Sequence, residues 1–215
     1  IPFVIAEIGA NHKGSIEIAK KLFIEAKKAG ADAVKLQKRN NKTLYTKKMY
    51  DQIYDNSNSY GRSYGEHRDY LELNKSQFLI LQKFAKRLDI EFLCTPFDFE
   101  SVDFLENINI NAYKIASADL INLPLQTYIA KKKKPIFIST GGGNFQDILR
   151  AFNNITKYNK KISILHCTAS YPAELKDMNL AVIKELKKKY KKINIGLSDH
   201  ENGIDAATIA FMIGA

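Results

Sequence analysis

The sequence predicts an α/β fold, a (β/α)8 barrel of the TIM type with seven of its eight βα units present in this chain. Short apolar runs alternate seven times with stretches of helical spacing, which is typical of a parallel sheet covered by helices. The apolar runs also end in polar side chains, and such barrels carry their active sites at the carboxyl ends of the strands. A doubly wound open sheet is the competing fold, but it would concentrate these residues at one switch point.

The first three units contain the longest predicted connection. Ser15 is a plausible N-cap for the first helix, and Gly30 follows the end of that helix. Residues 39–70 are too long for an ordinary βα loop and are rich in tyrosine. They predict an ordered flap over the barrel mouth, with a floppy surface insertion as the alternative. The predicted strands are residues 3–8, 33–36 and 91–94, and the predicted helices are residues 15–29, 75–88 and 99–107.

The last four units repeat the same alternation. Lysine runs at residues 131–134 and 187–192 end two helices, where cations complement the helix dipole. We expect one domain over residues 1–215, truncated at its C-terminal end where an eighth strand would begin. The predicted strands are residues 112–115, 135–139, 162–165 and 193–197, and the predicted helices are residues 123–133, 145–158, 179–190 and from 203 onward.

The charge of the chain is strongly positive. Its 215 residues include 33 Lys plus Arg against 23 Asp plus Glu, a net charge of +10. Such an excess could serve nucleic acid or an anionic substrate. The lysines, however, form runs at predicted helix ends, and no zinc finger, helix-turn-helix or RNA-binding aromatic motif accompanies them. We therefore assign the charge to solvated helix faces and expect no nucleic-acid partner.

Hydrophobic patterning and cysteine usage indicate a cytoplasmic protein. The apolar stretches are far shorter than the roughly 18–20 residues needed to span a bilayer. The first residues also lack the basic leader of a signal peptide. Cys94 and Cys167 each end an apolar run, which is typical of buried, reduced thiols rather than a disulfide framework. We expect no membrane partner.

The residues at the strand ends favour an anion site with acid–base groups nearby. Lysine charge, hydroxyl donors and free backbone N–H groups suit a phosphate. Glu7 and Asp119 suit proton transfer, whereas His200 could be either a metal ligand or a packed histidine. His12 could line the mouth or belong to a loop. The candidate anion-binding residues are Lys35, Thr95, Lys114, Ser117, Ser139, Ser198 and the glycines at 141–143.

Eight short motifs, in order along the chain, carry a resemblance to a known family. They are AEIGANH (6–12), ADAVKLQ (31–37), YGEHR (64–68), TPFD (95–98), YKIAS (113–117), ISTGG (138–142), LHCT (165–168) and GLSDH (196–200). With these motifs the chain resembles the sialic acid synthase family, the N-acetylneuraminate synthases and their legionaminate and pseudaminate relatives. The resemblance covers essentially the whole chain and is specific for the family rather than for the sugar.

The resemblance implies a fold, an activity and an assembly. Members have a TIM barrel followed by a small antifreeze-like domain that reaches into the partner's active site in a homodimer. The last strand of the barrel and that domain are expected to lie beyond this chain. Members condense phosphoenolpyruvate with an N-acetylated amino sugar and release phosphate, in the biosynthesis of sialic-acid-type surface polysaccharides. We therefore expect a phosphoenolpyruvate-dependent transferase, and we expect residues 1–215 alone to be inactive.

The resemblance also implies roles for individual residues. Glu7, Gln37 and Tyr171 would face the sugar, and Asp119 would lie near the reacting centre. His200 would be one of two histidine ligands of a divalent metal, manganese first, with magnesium or cobalt as alternatives. The catalytic set is thus Glu7, Asp119 and His200. The residues implied to hold phosphoenolpyruvate are Lys35, Thr95, Lys114, Ser117, Ser139 and Ser198.

One departure bears on the sugar. Some N-acetylneuraminate synthases carry Asn where this chain has Ala169, which puts N-acetylmannosamine in doubt and favours a modified hexose of the legionaminate type. Two other functions stay open. One is another phosphoenolpyruvate-dependent aldol barrel, such as a 3-deoxy-ald-2-ulosonate phosphate synthase, which would need extra basic residues at the mouth. The other is a non-catalytic barrel that only binds sugar.

Overall fold

The computed structural model describes residues 2–215 and has an α/β fold with seven parallel strands. Residue 1 of the predicted domain lies outside the described residues. The chain divides into two compact units, Phe3–Asn111 and Ala112–Ala215. No helix within residues 2–215 combines the length and apolar character needed to cross a membrane.

The first unit contains three strands and six helices. Strand β2 pairs with β1 on one side and with β3 on the other, always in parallel. In chain order the elements are β1 (Ile5–Gly9), α1 (Ile16–Lys28), β2 (Ala33–Lys38), α2 (Asn41–Leu44), α3 (Lys47–Tyr50), α4 (Tyr64–Leu71), α5 (Lys75–Arg87), β3 (Glu91–Pro96) and α6 (Phe99–Asn107).

The second unit contains four strands, which pair in parallel and in chain order. Two short 3-10 turns follow β4 and β6, at Ser117–Asp119 and Leu175–Asp177. The elements are β4 (Tyr113–Ile115), α7 (Leu123–Lys131), β5 (Ile136–Ser139), α8 (Phe145–Thr156), β6 (Ile162–Cys167), α9 (Val182–Lys189), β7 (Asn194–Ser198) and α10 (Asp205–Met212).

Local sequence signals explain the helix boundaries. The Ser15 hydroxyl accepts a hydrogen bond from the Ile18 amide, which confirms the predicted N-cap of α1. Gly30 has a positive φ of 85° after the last turn of α1, the left-handed conformation that ends many helices. Helix α9 begins three residues later than predicted, because the chain first makes a 3-10 turn and Asn179 takes a positive φ of 46°.

The strands confirm the predicted alternation but run further at their carboxyl ends. Strands β2, β3 and β6 each extend two residues past the predicted end. Polar side chains begin there, but backbone pairing continues through them. As a result Gln37 and Thr95 are strand residues with a fixed direction, not loop residues.

The segment between β2 and α5 is ordered, which excludes the floppy insertion. It forms α2, α3 and α4, and a capping box between Ser63 and Glu66 starts α4. The Tyr60 and Tyr70 rings stack with centroids 4.7 Å apart and planes 3° apart. His67 is buried within this tyrosine cluster, and its Nδ1 accepts a hydrogen bond from the Tyr60 amide at 3.3 Å. His67 thus lies within this segment and is buried rather than on the surface.

Asp98 ties the start of this segment to α6. Its Oδ1 accepts from the Ser101 amide at 2.7 Å and caps α6, while its Oδ2 accepts from the Asn40 amide at 2.7 Å and the Ser101 hydroxyl at 2.9 Å.

We expect Asp98→Ala to lower the free energy of unfolding by about 2 kcal/mol, because the cap and the bond to the Asn40 amide are both lost. Asp98→Asn retains one oxygen for the cap and should lose about half as much. Urea unfolding followed by circular dichroism measures both variants. Wild-type stability of Asp98→Ala would contradict this assignment.

Candidate active site

A buried lysine organises the strand ends of the first unit. Lys35 is 5% exposed, and its Nζ donates to the Thr95 hydroxyl at 2.9 Å and forms an ion pair with Glu7 Oε2. The Glu7 side chain is half-exposed, so one side of the carboxylate faces solvent. We call these three residues the lysine cluster. It combines a cation, a hydroxyl and a carboxylate that is accessible from solvent.

Strand register explains why these residues meet. Glu7 lies opposite Lys35, and Gln37 lies opposite Thr95. Paired residues share a face of a sheet, and so do residues two apart on one strand. The four predicted side chains therefore project from the same face of β1, β2 and β3, and the structure brings them together as the sequence predicts.

Gln37 is held by a residue that the sequence analysis did not single out. The Arg39 guanidinium donates through Nη2 to Gln37 Oε1 at 2.6 Å. Arg39 is itself buried, lies over the Phe97 ring at 4.0 Å and contacts the Glu72 carboxylate. Burial and the charge of Arg68 lower the pKa of Arg39. The sequence signal for Arg39 was its place directly after a strand that ends in polar residues.

The second unit carries a group of hydroxyls beside a glycine turn. Ser139 is 1% exposed, and its hydroxyl has no hydrogen-bond partner within residues 2–215. The Ser117 hydroxyl accepts from the Gly141 amide at 3.1 Å. A β-carbon at Gly141 would lie 2.9 Å from that hydroxyl and 3.1 Å from Cys167 Sγ, so a larger residue would have to displace these side chains. We call Ser117, Ser139 and Gly141 the serine cluster.

Register places two further predicted residues on the face that carries Ser139. Lys114 is buried and lies opposite Phe137, two residues before Ser139. Ser139 pairs with Leu165 of β6. Ser198 pairs with Cys167, which lies two residues further along β6. Alternation along the strands therefore points Lys114, Ser139 and Ser198 in the same direction.

Asp119 lies in the 3-10 turn after β4, two residues beyond Ser117. It is buried, and its Oδ1 accepts from the Asn122 side-chain amide at 3.0 Å. The Gln126 side chain donates to the Asp119 carbonyl at 2.9 Å. These bonds fix the conformation of the turn that carries the Asp119 carboxylate. The catalytic role expected of Asp119 stays a prediction.

His200 has a defined tautomer. Its Nδ1 lies 2.8 Å from the Thr168 carbonyl oxygen, which can only accept, so Nδ1 carries the proton. The Nε2 lone pair is then directed elsewhere and can ligate a metal. The Tyr171 ring lies 3.9 Å from the His200 ring, and Tyr171 is 80% exposed. Tyr171, which is predicted to face the sugar, therefore lies next to His200, the predicted metal ligand.

The donor set fits one ligand of the expected metal. An imidazole whose Nδ1 is held by a carbonyl is a common ligand for divalent metal ions. Within residues 2–215, no three His, Cys, Asp or Glu side chains are grouped closely enough to hold a metal ion. His200 is therefore a single candidate ligand, and the metal stays a prediction.

The other histidines and both cysteines are buried in the protein. His12 is buried in the loop after β1, where its Nδ1 accepts from the Gly14 amide at 3.1 Å, and burial lowers its pKa. His166 is buried and contacts the Met178 carbonyl at 2.6 Å through Nε2. Cys94 and Cys167 are both buried free thiols, as predicted, and burial raises the pKa of Cys94 above its usual range.

Comparison with known proteins connects these features to a family. The model of the NeuB family matches residues 22–215. The chain is 38% identical to the N-acetylneuraminate-9-phosphate synthase of Drosophila melanogaster, over 99% of this chain and 58% of the relative. It is also 38% identical to the N,N'-diacetyllegionaminic acid synthase of Campylobacter jejuni, over 99% of this chain and 64% of the relative.

A solved structure gives the same result. A crystal structure of N-acetylneuraminic acid synthetase from Leptospira borgpetersenii, in complex with citrate, matches with a TM-score of 0.87 and 32% identity. The match covers 99% of this chain and 70% of that one. The chain spans about three fifths of the length of the two curated relatives. Because the family model matches most of this chain, the chain belongs to the NeuB family. This confirms the resemblance to the sialic acid synthases.

Proposed function

We propose that the protein is a nonulosonic acid synthase, which condenses phosphoenolpyruvate with an N-acetylated amino sugar and releases phosphate. The observation that carries the proposal is the lysine cluster in a member of this family. A lysine that is 5% exposed beside a half-exposed carboxylate is costly to build for stability alone. Such a group suits the binding of a dianion and the transfer of a proton next to it.

We further propose that the chain forms a TIM barrel, which binds its substrate at the carboxyl ends of the strands. The lysine and serine clusters both lie at carboxyl ends of parallel strands, where barrels of this type bind their substrates. Lys35 and Lys114 would neutralise the phosphate and carboxylate of phosphoenolpyruvate. The Ser139 hydroxyl and the Gly142 amide of the glycine turn would donate to the phosphate oxygens.

The reaction requires one new C–C bond and one broken C–O bond. C3 of the enol phosphate attacks the aldehyde carbon of the open-chain sugar, and the aldehyde oxygen gains a proton. Water then adds to C2, and the C2–O bond to phosphate breaks to give the 2-keto acid. Lysine charge stabilises the departing phosphate. We propose Glu7 for proton transfer, because it is accessible and fixed by Lys35, with Asp119 as the second carboxylate.

We propose that His200 binds the divalent metal through Nε2, with manganese first and magnesium or cobalt as alternatives. The tautomer set by the Thr168 carbonyl supports this role. A bound metal would act as a Lewis acid toward the sugar carbonyl. Tyr171 lies beside His200 and would contact the sugar there.

The acceptor sugar differs among the relatives. The Drosophila relative is named for a product that carries a 9-phosphate, whereas the Campylobacter relative is named for diacetyllegionaminic acid. Ala169 supports the legionaminate-type sugar for this chain, because it offers no polar contact at that position. We also propose a cytoplasmic homodimer and an additional small C-terminal domain, which would belong to the region where the relatives extend beyond this chain.

The proposal is tested by phosphate release from phosphoenolpyruvate, with the full-length protein and Mn²⁺. The acceptors are a di-N-acetylated dideoxyhexose and N-acetylmannosamine with and without a phosphate. We expect release that requires both an acceptor and the metal, and that stops with a chelator. His200→Ala should lower turnover about 100-fold or more. No release with any of these amino sugars would refute the proposal.

Ser139 gives a second prediction, in which stability and binding respond in opposite directions. Removing a buried hydroxyl that has no partner costs little or stabilises a protein. We therefore expect Ser139→Ala to keep or raise the melting temperature, while the KM for phosphoenolpyruvate rises about tenfold because one donor to the phosphate is lost.

The adjacent residue is the matched control for stability. The Thr140 hydroxyl donates to the Leu165 carbonyl at 3.2 Å, so Thr140→Val should cost about 1 kcal/mol of unfolding free energy. Thermal unfolding and phosphate-release kinetics measure the pair. A loss of stability in Ser139→Ala equal to that in Thr140→Val, with an unchanged KM, would contradict the assignment.

A further inference from the structure

The orientation of the Gln37 amide is set by the charge of its neighbour. A guanidinium has donors only, so the Gln37 atom that faces Arg39 Nη2 at 2.6 Å must be the amide oxygen. The amide nitrogen, which is a donor only, is then directed away from Arg39. A rotated amide would place two donors against each other and lose this bond.

The Gln37 amide nitrogen and a Glu7 carboxylate oxygen border the same space. A β-carbon built on Gly9 would lie 3.7 Å from Gln37 Nε2 and 3.4 Å from Glu7 Oε1, so both atoms border the space above Gly9. Gly9 has a positive φ of 54° and no side chain to fill that space. A donor and an acceptor therefore border the same space at the end of β1.

Arg39 itself is held on three sides. Its guanidinium lies over the Phe97 ring at 4.0 Å, and Nη1 lies 3.7 Å from Glu72 Oε1. Its backbone amide donates to Glu72 Oε2 at 3.2 Å. With the side chain 9% exposed, the guanidinium has little freedom to move, which makes it a rigid anchor for Gln37.

We propose that Arg39 is a positioning residue for the acceptor sugar, acting through Gln37. By holding the amide oxygen, it turns the Gln37 N–H groups toward substrate next to the Glu7 carboxylate. A sugar hydroxyl matches this pair, since it accepts from Gln37 and donates to Glu7. This inference rests on the proposed function and adds a residue and a recognition chemistry to the same site.

A double-mutant cycle in the full-length protein tests the inference. The variants are Arg39→Ala, Gln37→Ala and their combination, assayed by phosphate release with the acceptor that the wild type uses. We expect each single variant to raise the KM for the sugar about tenfold, the effect of one lost hydrogen bond, with kcat and the KM for phosphoenolpyruvate within about twofold. Arg39→Ala should add nothing in the Gln37→Ala background.

Lys38→Ala is the matched control for a purely structural role. Lys38 donates to the same Glu72 carboxylate at 2.8 Å and does not contact Gln37 among the hydrogen bonds of residues 2–215. We expect this variant to leave the KM for the sugar unchanged. Arg39→Ala effects that are additive with Gln37→Ala, equal for both substrates, or reproduced by Lys38→Ala would overturn the proposal.

Crystal structures of the wild type and Arg39→Ala provide a readout that does not need turnover. We expect the Gln37 amide to leave its wild-type orientation when the guanidinium is removed, while the backbone of β2 stays in place. An unchanged Gln37 side chain would overturn the inference. Absence of turnover by the wild type would instead refute the proposed function, and the two structures would still decide the role of Arg39.

Discussion

The buried ammonium of Lys35 is the constraint on which the first unit depends. A charge removed from water must be compensated by an opposite charge and by hydrogen bonds. Glu7 and Thr95 supply these from the strands on either side of β2. The requirement fixes the register of three strands at once, because a shift by one residue would turn the carboxylate or the hydroxyl to the opposite face.

The second unit differs from the first, because a buried hydroxyl there lacks a hydrogen-bond partner among the described residues. The Ser139 hydroxyl is buried without a partner in the described part of the chain, and a β-carbon at Gly141 would crowd the Ser117 hydroxyl. Both features reduce stability, and both are useful where an anion approaches the backbone. Proteins accept such local costs at sites that bind ligands.

Most of the fold was predictable, because apolar runs and helical spacing report directly on burial. All seven strands and their main helices follow from that alternation, and the N-cap at Ser15 was visible as a residue type. Strand ends were less accurate, since pairing continues through polar residues such as Gln37 and Thr95. A polar side chain indicates that the residue can be exposed to solvent. It does not indicate where the backbone hydrogen bonding of a strand ends.

The candidate site was predictable in its residues but not in its supporting contacts. Lys35, Ser139 and His200 stand at strand ends, where the fold class itself points to chemistry. The contacts of Arg39 with Gln37 and with Glu72 depend on the path of the connection after β2. The sequence of this connection has no regular pattern. The burial of His67 likewise arises from Tyr54 and Tyr60, which lie in the irregular connection between α3 and α4, where the sequence shows no periodicity.

The most direct test of the central claim asks whether the buried ammonium of Lys35 binds phosphoenolpyruvate. Isothermal titration of the full-length protein with phosphoenolpyruvate should give one site per chain. Lys35→Gln should weaken binding by about 100-fold, as expected for a lost charge-assisted contact to a dianion. Exposed Lys28→Gln should bind as the wild type does. Wild-type affinity in the Lys35 variant would contradict the account.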